Sequence, residues 1–306
     1  TNSARVASLG GKTVGLRTDD LNLPFHNPSL LNSEMDNHFI MNYVSYFADI
    51  NYGYVSYAKT YNDIGNFAAG IHYINYGNFQ GTDISGNNTG TFTASEYALN
   101  LIYSRNIDSL FSAGINIKPV YSVFENYYSL GIASDIAVTY YNPENFLCAA
   151  LVFKNIGFQI KPYYEGNREP LPFEIQAGVS QRLQHAPFRF SILLQHLQKF
   201  DLTYESEINA NSEINFFSEK SVPQNKLEIF GDKIMRHAIF GIEILPGENF
   251  YINIGYNYLR RQELRMQVKT GMVGFSWGFG FKNKKFHFSY GRASYHIAGA
   301  SNHFSL

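Results

Sequence analysis

Large apolar and small or polar residues alternate along fourteen segments of this chain. In residues 128–140 the even positions carry large side chains, nearly all apolar, and the odd positions carry small or polar ones. Because successive side chains of a β-strand point to opposite faces, each segment predicts a strand between two unlike environments. The segments begin near residues 38, 51, 66, 92, 109, 127, 145, 172, 187, 235, 249, 270, 284 and 296. Most run for about nine residues or more, enough for a tilted strand to cross a bilayer.

Composition helps to choose between a membrane barrel and a soluble β-sandwich, which also alternates. Charged residues make up only 16% of the chain and aromatic residues another 16%. The polar faces carry mostly Gly, Ala, Ser and Asn, whereas a sheet facing water should carry many Lys, Glu and Thr. Small side chains of this kind suit a crowded or water-filled lumen. The sequence therefore favours an all-β fold, a fourteen-stranded antiparallel outer-membrane β-barrel.

The connections between the segments alternate in length, which predicts the orientation of the barrel. Short turns fall on one rim and the long loops on the other, as in bacterial outer-membrane barrels. We expect residues 38–306 to form the barrel, with both termini in the periplasm and the long loops outside the cell. Residues 1–37 form an N-terminal segment that could plug the lumen. An extracellular extension is expected around 201–234 and 260–269.

Several local patterns suggest chemistry but lack the required context. Gly11-Lys12-Thr13 resembles a phosphate-binding loop, yet Val6 stands where that loop needs glycine and no helix pattern follows. Ser276 lies in a Gly-x-Ser-x-Gly pattern, but within a regular strand rather than a strained turn. The nine histidines show no metal-ligand spacing. The net charge of −1 gives no electrostatic case for nucleic acid. We expect no enzyme activity, no nucleotide, no metal and no cofactor.

A few charged residues fall on the small, inward faces of the predicted strands. We expect them to form a mixed-sign polar network across the lumen, solvated or paired. A pair of carboxylates for acid–base catalysis is the less favoured interpretation. The residues are Glu96, Lys118, Asp135, Glu174, Arg189 and Glu243.

The long connection at 201–234 is the predicted site for a protein partner. Alternation continues through Phe200, Leu202 and Tyr204, and returns with Leu227 and Ile229, so we expect a β wall above the membrane. The adjoining segment from Glu263 alternates in the same way. Exposed aromatic residues rimmed by charge suggest a binding surface, although the loop could instead fold over its own barrel mouth. The candidate partner-binding residues are Tyr204, Ile214, Phe216, Phe217, Leu264 and Met266.

Several stretches resemble a known family. "SARVASLGG" from Ser3, Asp19-Asp20 and "FHNPSLLN" from Phe25 resemble the N-terminus of FadL-like barrels. More narrowly they resemble the PorQ family of the type IX secretion system of Bacteroidetes. Further similar stretches are "NYVSYFADINYGYVSYA", "FAAGIHYINYGNF" and "ASEYALNLIYSR". The Asn27-Pro28 element also occurs in the related PorV barrel, so it does not separate the two.

The resemblance implies a fourteen-stranded barrel without chemistry of its own. It implies a place in the cell-surface attachment complex with PorZ, PorV and the sortase-like protease PorU. That complex removes C-terminal signals from secreted cargo and joins the cargo to anionic lipopolysaccharide. The chain would then act as an outer-membrane anchor for PorZ. The alternative is a FadL-like transporter of hydrophobic solutes, which would require an apolar pocket and a path through the barrel.

Overall fold

Fourteen antiparallel strands close into one barrel, because the first strand pairs with the last through Asn42 and Ser305. The computed structural model describes residues 1–46, 50–203, 226–264, 271–283, 285–296 and 299–306. Within them the strands are β1 (Phe39–Ser45), β2 (Asn51–Tyr61), β3 (Gly65–Thr82), β4 (Asn88–Asn106), β5 (Phe111–Phe124), β6 (Tyr127–Asn142), β7 (Leu147–Lys161), β8 (Glu174–Arg182), β9 (Phe188–Leu194), β10 (Ala238–Ile244), β11 (Phe250–Asn257), β12 (Phe275–Lys282), β13 (His287–His296) and β14 (Gly299–Ser305). The predicted fold class is confirmed.

Each strand divides its side chains between two environments. Along β12, Phe275, Trp277, Phe279 and Phe281 are exposed, whereas Ser276 between them is buried. Strand β6 behaves in the same way, with exposed Leu130, Ile136 and Val138 and buried Ala133, Asp135 and Ala137. An apolar face pointing away from the protein on successive strands of a closed barrel is the surface that lipid covers in membrane barrels. The alternation in the sequence thus records an apolar outside and a packed inside.

The two rims of the barrel differ in the length of their connections. The first rim carries the short turns 62–64, 107–110, 143–146, 183–187, 245–249 and 283–286. The start of β1 and the end of β14 lie on this rim. The opposite rim carries the connections 46–50, 83–87, 125–126, 162–173, 195–237, 258–274 and 297–298, and therefore all of the long ones.

Two helices follow strands on the long-loop rim, where the sequence predicted a β wall. Helix α2 spans Lys226–His237 and helix α3 spans Tyr258–Leu264. The predicted return strand through Leu227 and Ile229 is therefore wrong, and so is the predicted strand through Leu264. Strand β9 also ends at Leu194, so Phe200 and Leu202 are not part of it. No described helix has the length and apolarity needed to span a membrane.

The physical reason for the error is that two periods overlap in this segment. Leu227 and Ile229 fit the period of a strand, but Leu227, Phe230 and Ile234 fit the i, i+3, i+7 spacing of a helix. The structure follows the longer, helical pattern. Residues 204–225 and 265–270, which carry the rest of the predicted wall, lie outside the described residues.

The N-terminal segment, residues 1–37, lies inside the barrel. It contains helix α1 (Ala4–Ser8) and short 3-10 helices at Leu23–Phe25, Pro28–Leu30 and Ser33–Met35. Helix α1 packs against β11 to β14, and the turn at Pro28–Leu30 packs against β4 to β6. Most of the segment is buried. The small inward residues of the strands leave the room that it occupies.

Candidate functional site: the filled interior of the barrel

Polar side chains fix the local shape of the N-terminal segment. Ser3 caps α1 by accepting from the Val6 amide. Asn27 and Asn32 cap the short helices Pro28–Leu30 and Ser33–Met35, and each accepts at 3.0 Å from the amide two residues ahead. Asn27 also donates through Nδ2 to the Val14 carbonyl at 2.6 Å and to the Thr139 hydroxyl on β6 at 3.0 Å. The Asn-Pro element therefore both shapes the segment and joins it to the wall.

The glycines beside Lys12 serve close packing of backbone against the wall. Gly10 and Gly11 have φ of +94° and +95°, a region that other residues rarely adopt. The Gly10 amide donates to the hydroxyl of Ser276 on β12 at 2.9 Å, and that hydroxyl donates to the Ser8 carbonyl at 3.0 Å. Opposite Gly10, a Cβ on Gly255 of β11 would overlap the Gly10 backbone. Ser276 is thus a hydrogen-bonding contact of the segment within a regular strand.

A buried charged cluster joins α1 to strands β9 and β10. The Arg5 guanidinium donates to Glu243 Oε1 at 2.9 Å through Nε and lies 2.8 Å from it through Nη2. Glu243 Oε2 accepts from Arg189 at 2.7 Å. Arg5 is only 5% exposed and Glu243 only 2%, so solvent screens neither charge. The guanidinium also lies 4.6 Å from the ring centre of Tyr251.

The electrostatics of this cluster favour the charged form of Arg5. Burial alone would lower the pKa of the guanidinium, but Glu243, Tyr251 and Asp20 together outweigh it and the net shift of the pKa is upward. Two cations share one carboxylate at this point, and Asp20 approaches Arg5 to 3.8 Å from within the segment itself. Removing Glu243 would therefore leave buried charge without compensation.

A second ion pair joins the segment to β8. Lys12 Nζ donates to Glu174 Oε1 at 2.7 Å and lies 3.4 Å from His196 Nε2. Burial lowers the pKa of Lys12, and the Glu174 carboxylate opposes that shift only in part. The lysine of the apparent phosphate-loop sequence is thus bound to a carboxylate of the barrel wall.

The six predicted lumen residues occupy four separate places on the inner wall. Arg189 and Glu243 pair with each other, and Glu174 pairs with Lys12. Lys118 donates to Asp135 at 2.6 Å and to Asn155 Oδ1 at the same distance. Glu96 accepts from the Ser122 hydroxyl at 3.1 Å.

At two of these places, Glu243 and Glu174, the strand-borne charge also binds a cation of the N-terminal segment. Their partners from the N-terminal segment, Arg5 and Lys12, were missed. Arg5 stands 238 positions from Glu243, and no local signal in the sequence joins such distant residues.

Apolar packing fills the space between these polar contacts. One cluster brings Leu21, Leu31 and Met35 of the segment against Tyr54 of β2 and Ile102 of β4. A second is formed by Val6, Leu9, Leu16, Leu23, Leu30 and Cys148. The lumen-facing wall is mostly small or polar, as the sequence indicated, but the segment supplies large apolar side chains of its own. The interior is therefore a packed, mixed core.

The predicted partner-binding residues are only partly placed. Leu264 ends α3 on the long-loop rim and is exposed. Tyr204, Ile214, Phe216, Phe217 and Met266 lie outside the described residues. Within the described part of the chain, no group of three or more His, Cys, Asp or Glu side chains could hold a metal ion.

Comparisons with known proteins find similarity in structure and none in sequence families or curated proteins. No family model and no curated protein matches the chain. Among solved structures, the toluene transporter TbuX of Ralstonia pickettii aligns with 99% of this chain and 96% of its own, at 12% identity and a TM-score of 0.57. The Pseudomonas putida toluene transporter TodX aligns with 99% and 95%, at 10% identity and a TM-score of 0.54. Identity this low shows fold alone, and the fold is that of the FadL-like outer-membrane barrels.

Proposed function

We propose that this chain is a non-enzymatic outer-membrane anchor of the type IX secretion attachment complex, holding a surface partner of the PorZ kind beside PorU and PorV. One observation carries the proposal: the N-terminal segment occupies the interior and is bound there by a buried ion pair at Arg5 and a partly exposed one at Lys12. An interior closed by paired charges suits a protein that offers its outer rim rather than its lumen. Part of the resemblance to the PorQ family lies in this same segment, and the other similar stretches lie between residues 42 and 105.

The orientation follows from the rims. We place the short-turn rim, with the start of β1 and the end of β14, in the periplasm. The long-loop rim, with α2 and α3, then faces the cell surface and its lipopolysaccharide. Leu264 stands on that rim, and the partner is expected to contact it together with Tyr204, Ile214, Phe216, Phe217 and Met266.

Transport of hydrophobic solutes is the second candidate, and the structural comparisons support it more directly than the anchor role. Both TbuX and TodX are described as toluene transporters, and they align over nearly the whole chain. Inside this barrel, the cluster around Leu16, Leu23 and Leu30 would supply apolar lining if the segment moved. The two candidate functions therefore differ in one physical requirement. Transport requires the N-terminal segment to move within the barrel, whereas the anchor role does not.

Purification from native outer membranes tests the anchor role. Tagged full-length chain should recover PorZ together with PorU and PorV, and deletion of residues 206–225 should reduce recovery of PorZ at least tenfold. Deletion of 84–86, in a connection of the same rim, is the matched control and should leave recovery unchanged. If the full chain recovers none of these proteins, the anchor role is wrong.

Solute uptake tests the second candidate with the same protein. Vesicles containing the full chain should take up labelled toluene or fatty acid no faster than vesicles with an unrelated closed barrel. Selective uptake at several times that rate would establish transport instead. The variant Glu243→Gln, which unbinds Arg5, shows whether any uptake depends on release of the segment.

A further inference from the structure

Helix α2 is amphipathic, but its apolar stripe points away from the protein, whereas a helix of a water-soluble protein turns its apolar stripe towards the core. Leu227, Phe230 and Ile234 form one stripe along it, with side chains 76%, 52% and 44% exposed. The opposite face is polar and turned inward: Asp232 accepts from the Tyr258 hydroxyl of α3 at 2.6 Å and from Arg236 at 2.6 Å. A helix in water buries its apolar stripe. This helix presents the stripe outward, whereas Asp232 and Arg236 in its second half are turned towards the protein.

The stripe continues the lipid-facing surface of the barrel. On β9 the outward residues are Phe190, Ile192 and Leu194, each about 40% exposed. Beyond the strand, Leu197 and Phe200 are exposed as well, and the Phe200 ring lies 6.2 Å from the ring of Phe230. Exposed apolar side chains thus extend from the wall of the barrel towards the helix, which they meet at Phe200 and Phe230.

Strands β9 and β10 are too short to cross the apolar layer alone. Each has seven residues, which at about 3.3 Å per residue gives roughly 23 Å before any tilt. A tilted membrane strand needs about 9–11 residues. The part of the apolar layer that these strands do not span lies beside α2. The helix ends at His237, and β10 begins at the next residue, Ala238.

We propose that the Leu227–Phe230–Ile234 stripe lies in the interfacial region of the outer leaflet, where acyl chains cover it. Helix α2 then acts as a membrane-surface helix that completes the apolar belt above β9 and β10. Aromatic and aliphatic side chains on one face of such a helix bury in the boundary between headgroups and acyl chains. Lys233 lies at the edge of the stripe, three residues after Phe230, and its charge is paired with Asp201 at 2.6 Å.

Tryptophan fluorescence with brominated lipids tests the proposal, because the chain has a single tryptophan, Trp277. Full-length protein carrying Trp277→Phe is reconstituted in vesicles, and Phe230→Trp or Ile234→Trp is added. Glu228→Trp is the matched control, since Glu228 is exposed on the charged side of the same helix. Lipids brominated near the headgroup end of the acyl chains should quench the two stripe variants at least threefold more than the control.

The native Trp277 calibrates the depth, because it is exposed on the outer face of β12. Heat-modifiable migration in detergent gels confirms that each variant has formed a closed barrel. If the stripe variants are quenched no more than Glu228→Trp, the stripe faces water and the proposal is wrong. If they emit at short wavelength but resist both brominated lipid and aqueous acrylamide, protein covers the stripe and the proposal is also wrong.

Discussion

The two ends of the N-terminal segment are both buried, but different forces hold them. Residues 3–12 bind the wall through hydrogen bonds and two ion pairs, with Arg5 and Lys12 as the cations. Residues 21–35 combine hydrogen bonds, such as that of Asn27 to Thr139, with apolar packing around Leu31 and Met35. A buried charge demands its partner at a fixed place, whereas an apolar cluster tolerates exchange at constant volume. The first end therefore specifies position through its charges, and the second adds the apolar packing of Leu21, Leu31 and Met35.

Removing the shared carboxylate should break the first end with the largest effect. Glu243→Gln removes the carboxylate that Arg5 and Arg189 share and leaves Arg5 with only Asp20, 3.8 Å away, so the free energy of unfolding should fall by about 3–5 kcal/mol. Urea unfolding of the reconstituted barrel measures the loss. The control Glu34→Gln alters an exposed carboxylate and should change the free energy of unfolding very little. A loss below about 1 kcal/mol for Glu243→Gln would contradict the assigned role of the cluster.

At the second end, shape should matter less than volume. Leu31 is 1% exposed, so Leu31→Ala should lower the free energy of unfolding by about 3 kcal/mol through lost packing and a residual cavity. Leu31→Met keeps the volume and should cost less than about 1.5 kcal/mol. The same urea titration compares the two variants. Equal losses would mean that this end is as exacting as the charged end.

The close approach at Gly10 allows the effect of wall contact to be separated from backbone strain. Gly10→Ala combines a φ of +94° with a clash against Ile239, and should cost about 1–3 kcal/mol. Gly86 has a φ of +83° but open space around it, so Gly86→Ala reports strain alone. The difference between the two losses measures how firmly the segment is pressed against β10 and β11. Hydrogen exchange of the amides in residues 3–12 should rise only in the Gly10 variant.

The smallest effect is expected where the segment leaves the barrel. Lys59 lies 3.4 Å from Asp36, and both side chains are about one-third exposed. Lys59→Ala should therefore change the free energy of unfolding by less than about 1 kcal/mol. Raising the salt concentration should remove even this contribution, while leaving the Glu243 cluster unaffected. A salt-sensitive Glu243→Gln effect would show that water reaches the cluster.

The barrel could be predicted from the sequence because its signal is local and repeated. Each strand contrasts side chains such as Trp277 and Phe279 with Ser276 and Gly278 between them, and this contrast needs no knowledge of the rest of the chain. The alternation defines the starts of the strands less sharply than their existence: the segment of β12 was predicted to begin near 270, and the strand begins at Phe275. Helix α2 was missed because a short segment can satisfy the strand and helix periods together.

Only the strand side of the interior contacts could be predicted from the sequence. Charges on the strands, such as Glu174 and Glu243, were visible as exceptions on a small-residue face. Their partners Arg5 and Lys12 lie in a segment without periodicity, and pairing across the whole chain leaves no trace in spacing. The resemblance of the N-terminus identified the segment but not the atoms that hold it.

The contact between Ala4 and Ser305 has a consequence for the order of assembly. The Ala4 amide donates to the Ser305 hydroxyl at 3.0 Å, so the first turn of the chain touches its last strand. The N-terminal segment is synthesised before the strands, yet its binding site inside the barrel is complete only when β14 has paired with β1. During insertion the N-terminal segment must therefore remain only partly bound until the last strand pairs. Loss of the last few residues should leave the segment exposed to proteases.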